Sequence, residues 1–600
     1  MKKDKIELIL SEGYDNYKLN KFSEAISFFK KAYKIDNDYP KTLLLLGIAN
    51  AELDNLNDAR GYLYKAAISD PNNYYAQYNA AKVYSDLDRD EEAVKFHLNA
   101  IKIKPDSHEA WLNFGVTNKK IQKYELAIEC FKKCLSTNPH SSESYINLGD
   151  IFFQNNKYKE AINNFNLSLK INQNNAEVIT KIGVAYKNLQ QLNKAIEFHK
   201  KALDIDPNNP SIYSNLGITY RGLYDLKKSI ELLDKALELK PKFEPALINK
   251  AIAYADLGQY KIAEDLYNEV LKNNPKNIEA STNLGMLHLS YENFVKGWEY
   301  YETRWDQIKF QSYINTNKKK WDGKKIEENL LIVSEQGLGD QILYSSMIND
   351  TKKLCKKIYF TCDPKLVKLF ENSFTNVEII SRDNFKENNP GEFFDYHIPL
   401  GSLGKYFRKK REDFISSPNP YLIDDNIKTK KIADKINKKD SLLCGISWKS
   451  NNDEIGINKS IKLEKLQKII DFKNINFVNL QYGEVKQDLE NFNKKSKNKI
   501  FEFDGIDVTD DIDSLASLIK NCDFVITTSN TTAHLAGALN IPTFVMVPRG
   551  KGKFHYWSSN KKSTPWYPSV IIFRQDQDFT WKNTVDELKK YIVDNFNLMS

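Results

Sequence analysis

The chain is poor in cysteine: 600 residues carry six (Cys130, Cys134, Cys355, Cys362, Cys444 and Cys522), none in a Cys-x-x-Cys pair. Cys130 and Cys134 stand four apart on a predicted helix, with no His or Cys pair nearby to complete a zinc site. Reduced, semi-buried thiols in a reducing cytosol are expected. Long apolar runs are missing too: nothing approaches the ~18 apolar residues of a membrane helix. The opening MKKDKIELILSEGYDN has too short an apolar run for a signal peptide. A soluble, cytoplasmic chain with no integral membrane segment is the expectation. Charge of one sign is scarce: 87 Lys+Arg against 79 Asp+Glu leave +8, scattered rather than striped, which argues against nucleic acid as a partner. The Lys-rich stretches at 428–439 and 494–499 read as solvated loops. What is present is 41% hydrophobic and 12% aromatic residues, ample for folded structure, on a length that suggests about three or four domains.

The first half is periodic. A small residue returns every 34 positions: Gly13, Gly47, Ala81, Gly115, Gly149, Gly183, Gly217, Ala251 and Gly285. Twelve residues after each comes a second small position, from Ala25 and Ala59 through to Ser229, Ala263 and Gly297. Pro71, Pro105, Pro139, Pro207, Pro241 and Pro275 close units at a matching offset. Two antiparallel helices approach closely where small side chains face each other, as these are expected to do, and proline stops the second. The pattern resembles the tetratricopeptide repeat, in nine units, and predicts an all-α superhelix over residues 1–310 that binds a protein partner. Two residues before the small position Asn recurs, as Asn79, Asn113, Asn147, Asn215, Asn249 and Asn283. Each amide both donates and accepts, so a stacked row could grip a peptide backbone, in the manner of the ladder in O-linked N-acetylglucosamine transferases. Asn is also common here in tetratricopeptide repeats generally, and both readings stand.

After Trp305 short apolar strands alternate with helical patterns, the signature of α/β structure. Strands are predicted at Asn329–Ser334, Ile358–Thr361, Val377–Ile380 and Tyr396–Ile398, and a second unit begins with LLCGISWKS (Leu442–Ser450), continues through NFVNLQYG (Asn476–Gly483) and ends near FRQ (Phe573–Gln575). Two Rossmann-like halves follow, over 311–425 and 441–600, joined by a polar linker over 426–440 and ending in a helix, Val585–Phe596. The segment FVITTSNTTAHLAGALNIPTFVMVP (Phe524–Pro548) is the most telling: strand, polar turn, helix from about Ala533, strand. Such a turn aims unpaired backbone N–H groups and a positive helix end at an anion.

GLGD, GISWKS, KSIKLEKL, NLQYG and SNTTAHLAGAL, in this order, resemble the GT-B glycosyltransferases of family 9, the heptosyltransferase group. The chain is similar above all to bacterial proteins that fuse tetratricopeptide repeats to such a domain, with WDG (Trp321–Gly323) and TPWYPS (Thr564–Ser569) typical of that subgroup. The resemblance implies two Rossmann-like domains facing a cleft. It implies a metal-independent, inverting transfer of a sugar from a nucleotide-diphosphate donor to a protein or glycan acceptor, with no cofactor. Asp340 matches the family base, with Gly337 and Gly339 forming the acceptor loop; alternatively Asp340 caps a helix from Gln341. Lys459 aligns with the lysine that contacts the phosphates, and Lys449 is a second candidate; a solvated lysine is the alternative for both. Gln481 and Gly483 would lie near the nucleoside, and Ser529, Asn530, Thr531 and Thr532 at the diphosphate. Ser529-Asn530 replaces the family's Asp-Thr. His534 touches the nucleotide or fills the core, and Arg549 faces the same rim or is local. The two Asp-x-Asp runs, Asp511–Asp513 and Asp576–Asp578, lack a third ligand, so no metal is expected. The competing reading is a scaffold with an inactive GT-B half.

Overall fold

A computed structural model describes residues 2–596, apart from 307–312, 315, 388–392, 415–419, 437–440, 453–454, 551 and 560. The chain forms two compact units, Met1–Thr219 and Tyr220–Ser600.

The first unit is all-helical: paired helices of 13 and 14 residues follow one another from Pro40–Glu52 and Leu56–Ser69 to Ala176–Asn188 and Leu192–Ile205. Each pair closes on a residue held at positive φ, and these recur every 34: Asn20, Asp54, Asp88, Gln122, Asn156 and Gln190. Asn and Asp tolerate this left-handed turn best among residues with a side chain. Asn73, Ser107, Ser141 and Asn175 cap the following helices by accepting the N–H three residues on. The small residues act differently from the expectation that they face each other. A Cβ on Gly13, Gly115 or Gly149 would lie within 2.4–2.6 Å of the ring of Phe29, Phe131 or Phe165. The small position is a socket for a large side chain 16 residues on, and Leu63 and His199 fill it opposite Gly47 and Gly183. Cys130 and Cys134 are buried free thiols on the helix Tyr124–Thr137, and burial pushes Cys130 up to about 12.

The second unit opens with further repeat helices, Leu226–Leu239 through Phe294–Tyr301. At its last repeat two small positions meet: a Cβ on Gly285 would stand 3.0 Å from the Gly297 carbonyl. Two parallel sheets follow. The first comprises β1 (Lys319–Lys320), β2 (Asn329–Val333), β3 (Lys357–Cys362), β4 (Val377–Ser381) and β5 (Tyr396–Pro399), in the order β1-β5-β2-β3-β4. The second comprises β6 (Leu442–Ser447), β7 (Ile475–Asn479), β8 (Ile500–Phe501), β9 (Phe524–Thr528), β10 (Thr543–Val547) and β11 (Val570–Arg574), in the order β11-β10-β9-β6-β7-β8. β9 and β10 are buried along their whole length, as strands covered on both faces must be. Where a linker was expected the chain forms a helix, Asn426–Lys435, which buries Ile432; residues 437–440 lie outside the described residues, as does the expected boundary near 310.

Strand order reverses at two places. In the first sheet it reverses between β2 and β5, and in the second between β6 and β9. Chain diverging at such a point opens a crevice beyond the strand ends, where parallel sheets place their ligands. The Glu335–Asp340 turn leaves β2 at the first, and the Ser529–Thr532 turn leaves β9 at the second.

Candidate functional site

The helices that start at these turns, Leu338–Ser345 and Thr531–Ala538, pack together, and the tightest point is glycine. A Cβ on Gly339 would fall 2.8 Å from Cδ2 of His534. Gly337, not Asp340, is the N-cap residue of the first helix, so Asp340 stands in its first turn and the capping alternative does not hold. Among the described residues the Asp340 carboxylate takes no hydrogen bond. Burial pushes it up to about 7, the Lys459 ammonium pulls it down and the Glu335 charge pushes it further up. The side chain nevertheless keeps partial exposure, as a group on the floor of a crevice does.

Lys459 ends the one-turn helix Gly456–Lys459 and is only 6% exposed, so it is not a solvated lysine. Burial lowers it to about 8 against the opposing pull of Asp340, and its ammonium lies 4.9 Å from the centre of the Phe554 ring. A carboxylate from one sheet and an ammonium from the other thus share one buried corner. His534 is a core residue there: Nδ1 lies 3.0 Å from the Tyr567 hydroxyl, the ring stacks on Trp557, and burial holds it near 3, hence neutral.

The remaining predicted donor-side residues are mostly braces. Gln481 is buried; its Oε1 accepts from the Ser447 hydroxyl and from the N–H groups of Trp448 and Lys449, at 2.9, 2.9 and 2.7 Å. Asn530 caps the Thr531–Ala538 helix through Oδ1 and donates through Nδ2 to Ser447 Oγ and the Lys449 carbonyl, stitching β9 to β6 at the reversal. Ser529 Oγ accepts from Trp557 Nε1, and Thr532 Oγ1 donates to the Leu480 carbonyl. Thr531 is half-buried at the helix start. Gly483 turns at φ +85, where a Cβ would meet Asn451 at 1.8 Å, and its N–H donates to Thr509. Lys449 is half-exposed, 3.6 Å from Asp488. Arg549 binds Gln575 through its backbone N–H and Nε, a local role. Asp511 caps the helix Ile512–Lys520, and Asp576 accepts the N–H groups of Asn583 and Thr584. No cluster of three or more His, Cys, Asp or Glu side chains suited to a metal occurs among the described residues.

Two residues beneath the site escaped the sequence. Glu335, in the EQGLGD turn, is buried, and Arg304, just past the last repeat, reaches it at 2.5 Å. The cue was a charge directly after an apolar strand.

The Asn row divides between the units. In the first, Asn79 and Asn147 donate to the carbonyls of Tyr75 and Glu143, four residues back, and Asn113 donates to the Tyr78 hydroxyl. Asn147 also accepts from Lys119. Asn215 lines a cavity of about 390 Å³ with Asp150, Lys181, Phe153 and Val184. In the second, Asn249 donates to the Pro245 carbonyl and Asn283 is half-buried.

Helical repeats of the tetratricopeptide type precede a region of parallel sheets and helices. Family models agree for the repeats: the C-terminal ARM domain of tetratricopeptide repeat protein 21 matches residues 44–216, and tetratricopeptide-repeat models match 16–39 and 222–287. The chain is similar to protein FlbA of Caulobacter vibrioides, at 27% identity over 50% of this chain and 52% of that one. It also matches the uncharacterized protein MJ1062 of Methanocaldococcus jannaschii, at 26% over 37% and 41%. The chain thus spans about half the length, or less, of the curated relatives it matches. A solved tetratricopeptide repeat protein from Parabacteroides merdae aligns over 43% of this chain and 98% of its own, at 18% identity and a TM-score of 0.33. No helix among the described residues is long and apolar enough to cross a membrane.

Proposed function

We propose that the α/β region is a GT-B-type glycosyltransferase that moves a sugar from a nucleotide-diphosphate donor to an acceptor hydroxyl, while the repeats recruit a protein. The observation that carries this reading is the buried Asp340–Lys459 corner, where the strand order of both sheets reverses. In the reading, Asp340 takes the proton of the acceptor hydroxyl as its oxygen bonds to the anomeric carbon. The bond from that carbon to the diphosphate breaks, and the electron pair leaves with the nucleotide. Lys459 and the N–H groups opening the Thr531–Ala538 helix offset the charge on the leaving group. A carboxylate at about 7 suits a base near neutral pH. No metal is required. For the repeats, the cavity at Asp150–Asn215 supports peptide binding, as do the Oδ1 atoms of Asn79 and Asn249, which accept no hydrogen bond among the described residues.

The internal bonds of Gln481, Asn530 and Ser529 favour the second reading, a scaffold whose donor side is closed. Thermal unfolding against a panel of nucleoside diphosphates separates the two. A ligand at ~100 times its Kd adds about 2.7 kcal/mol to the unit that binds it. The transferase reading expects a shift with one base that Lys459→Met abolishes; no shift with any base selects the scaffold.

A further inference from the structure

We propose that Arg304 and Glu335 form a positioning pair for Asp340, through which the end of the repeat array fixes the orientation and electrostatic surroundings of the base. The proposal rests on the transferase reading for its catalytic meaning and on the geometry of the pair for its existence. Arg304 is 1% exposed and Glu335 3%. The guanidinium lies over the Tyr301 ring at 4.2 Å, and Nη1 donates to the Tyr301 carbonyl at 3.0 Å. Nη2 donates to Glu335 Oε1 at 2.5 Å and to Ser402 Oγ at 3.2 Å. The same Oε1 accepts the Gly401 N–H at 3.1 Å, tying the turn after β2 to the turn after β5. Gln336, next in the chain, donates to the Tyr301 hydroxyl at 2.7 Å. The Glu335–Asp340 turn is therefore held from the repeat side at two consecutive residues.

The pair is costly as structure. Glu335 Oε2 and Arg304 Nε are buried with no hydrogen-bond partner among the described residues, and an apolar pair of the same volume would avoid that cost. A role at the site accounts for its presence. The groups facing Asp340 divide cleanly. Tyr301, Tyr344, Tyr556 and Tyr567 are pushed up by burial and stay neutral near pH 7, and His534 is held neutral. Glu335 and Lys459 remain as the charges acting on Asp340, and Glu335 is balanced by Arg304, whose Nη1 also donates to Glu302 Oε1 at 3.2 Å while Lys320 holds the other Glu302 oxygen.

The test compares full-length wild type, Glu335→Gln, Arg304→Met and the double variant in two measurements. The first is the pH dependence of turnover of a nucleotide-sugar carrying the base that shifts the melting temperature. Removing the Glu335 charge moves the acid limb down by about half a pH unit or more, and leaving that charge unbalanced in Arg304→Met moves it up. The double variant falls with Glu335→Gln, and both keep the comparison alive if Arg304→Met alone does not fold. The second needs no turnover: in each background, melting temperature against pH is measured with and without Asp340→Asn, and the difference reports the Asp340 titration. The same order of midpoints is expected. Rates that fall at every pH with unmoved midpoints would overturn the proposal and leave the pair a structural tie. If wild type turns nothing over, the transferase reading fails while the melting series still decides this one.

Discussion

Replacing Asp340 by Asn should make the protein more stable at alkaline pH, which separates a working base from a helix-end carboxylate. A carboxyl near 7 when folded and at its usual 3.8 when unfolded binds its proton more tightly in the folded state. The stability this gives is complete below the unfolded value and is lost as pH rises through the folded one. At pH 8.5 the ionised, unbonded carboxylate then costs about 4 kcal/mol, from a shift of about three units at 1.36 kcal/mol each. Partial exposure screens some of this, so a gain of roughly 2–4 kcal/mol is the expected effect of Asp340→Asn. Lys459, lowered to about 8, is mostly neutral at that pH, so losing its counter-ion subtracts little. At pH 4 the gain shrinks to below about 1 kcal/mol. Urea unfolding of the full chain at the two pH values reads the difference. An ordinary first-turn acid behaves oppositely, since its removal costs about 0.3–1 kcal/mol. A variant less stable than wild type at pH 8.5 would refute the buried-base reasoning.

Two predictions concern the repeats. His199, buried with both ring nitrogens unpartnered, is held near 4 by burial, with Lys187 adding to it. A depressed histidine contributes stability above its unfolded value that is lost as pH falls, about 2.5 kcal/mol by pH 4.5. Because Phe29, Phe131 and Phe165 occupy the equivalent socket, His199→Phe should fold, gain about 1–3 kcal/mol at pH 7 and lose this part of the acid sensitivity; parallel acid-melting curves for both forms would contradict it. One chemical change should also act with opposite signs at two glycines. Gly149→Ala drives a methyl into Phe165 and costs about 1–3 kcal/mol, whereas Gly61→Ala, with nothing within 4 Å, gains about 0.5–1 kcal/mol of helix stability in denaturant titrations.

The repeats were legible because glycine and alanine mark each socket with a fixed residue type, while the occupant varies among Phe, Leu, His and Tyr and conserves only size. That is why position 16 of the pattern escaped notice and its small partner did not. β9 and β10 were legible as unbroken apolar runs. β1 and β8, at two residues each, are too short for any pattern, and Asn426–Lys435 buries one side chain, too little for an apolar stripe. Asp340 and Lys459 were found through motifs, but their meeting depends on two sheets packing helix to helix, which no local pattern encodes. Arg304 and Glu335 lie 31 residues apart across the change from helical repeat to sheet, so the charge after β2 marks Glu335 while its pairing with Arg304 is not encoded locally.

The donor side and the base side of the candidate site differ in how far their polar groups are already satisfied, and this constrains how a diphosphate would be held. Around Asp340 the bonds are missing: an unbonded carboxylate, an orphaned Glu335 oxygen and a depressed lysine lie together. Perturbed, unsatisfied groups gathered in one crevice are what functional sites accumulate at the expense of stability. Around Asn530 most side-chain bonds are made, Gln481 alone serving three donors, and Thr528 Oγ1 stays buried without a partner among the described residues. Side chains spent on fixing β6 against β9 are unavailable to a ligand. What remains for an anion is the backbone: helix geometry leaves the N–H groups of Thr531 and Thr532 without intrahelical partners, although the Tyr482 hydroxyl already meets the Thr531 backbone and would have to yield to a phosphate, and Lys459 is buried nearby. On the proposed transferase reading, Ser529 where the resembling motif carries Asp keeps a negative charge away from the phosphates, and Asn530 where it carries Thr keeps the cap that aims those N–H groups.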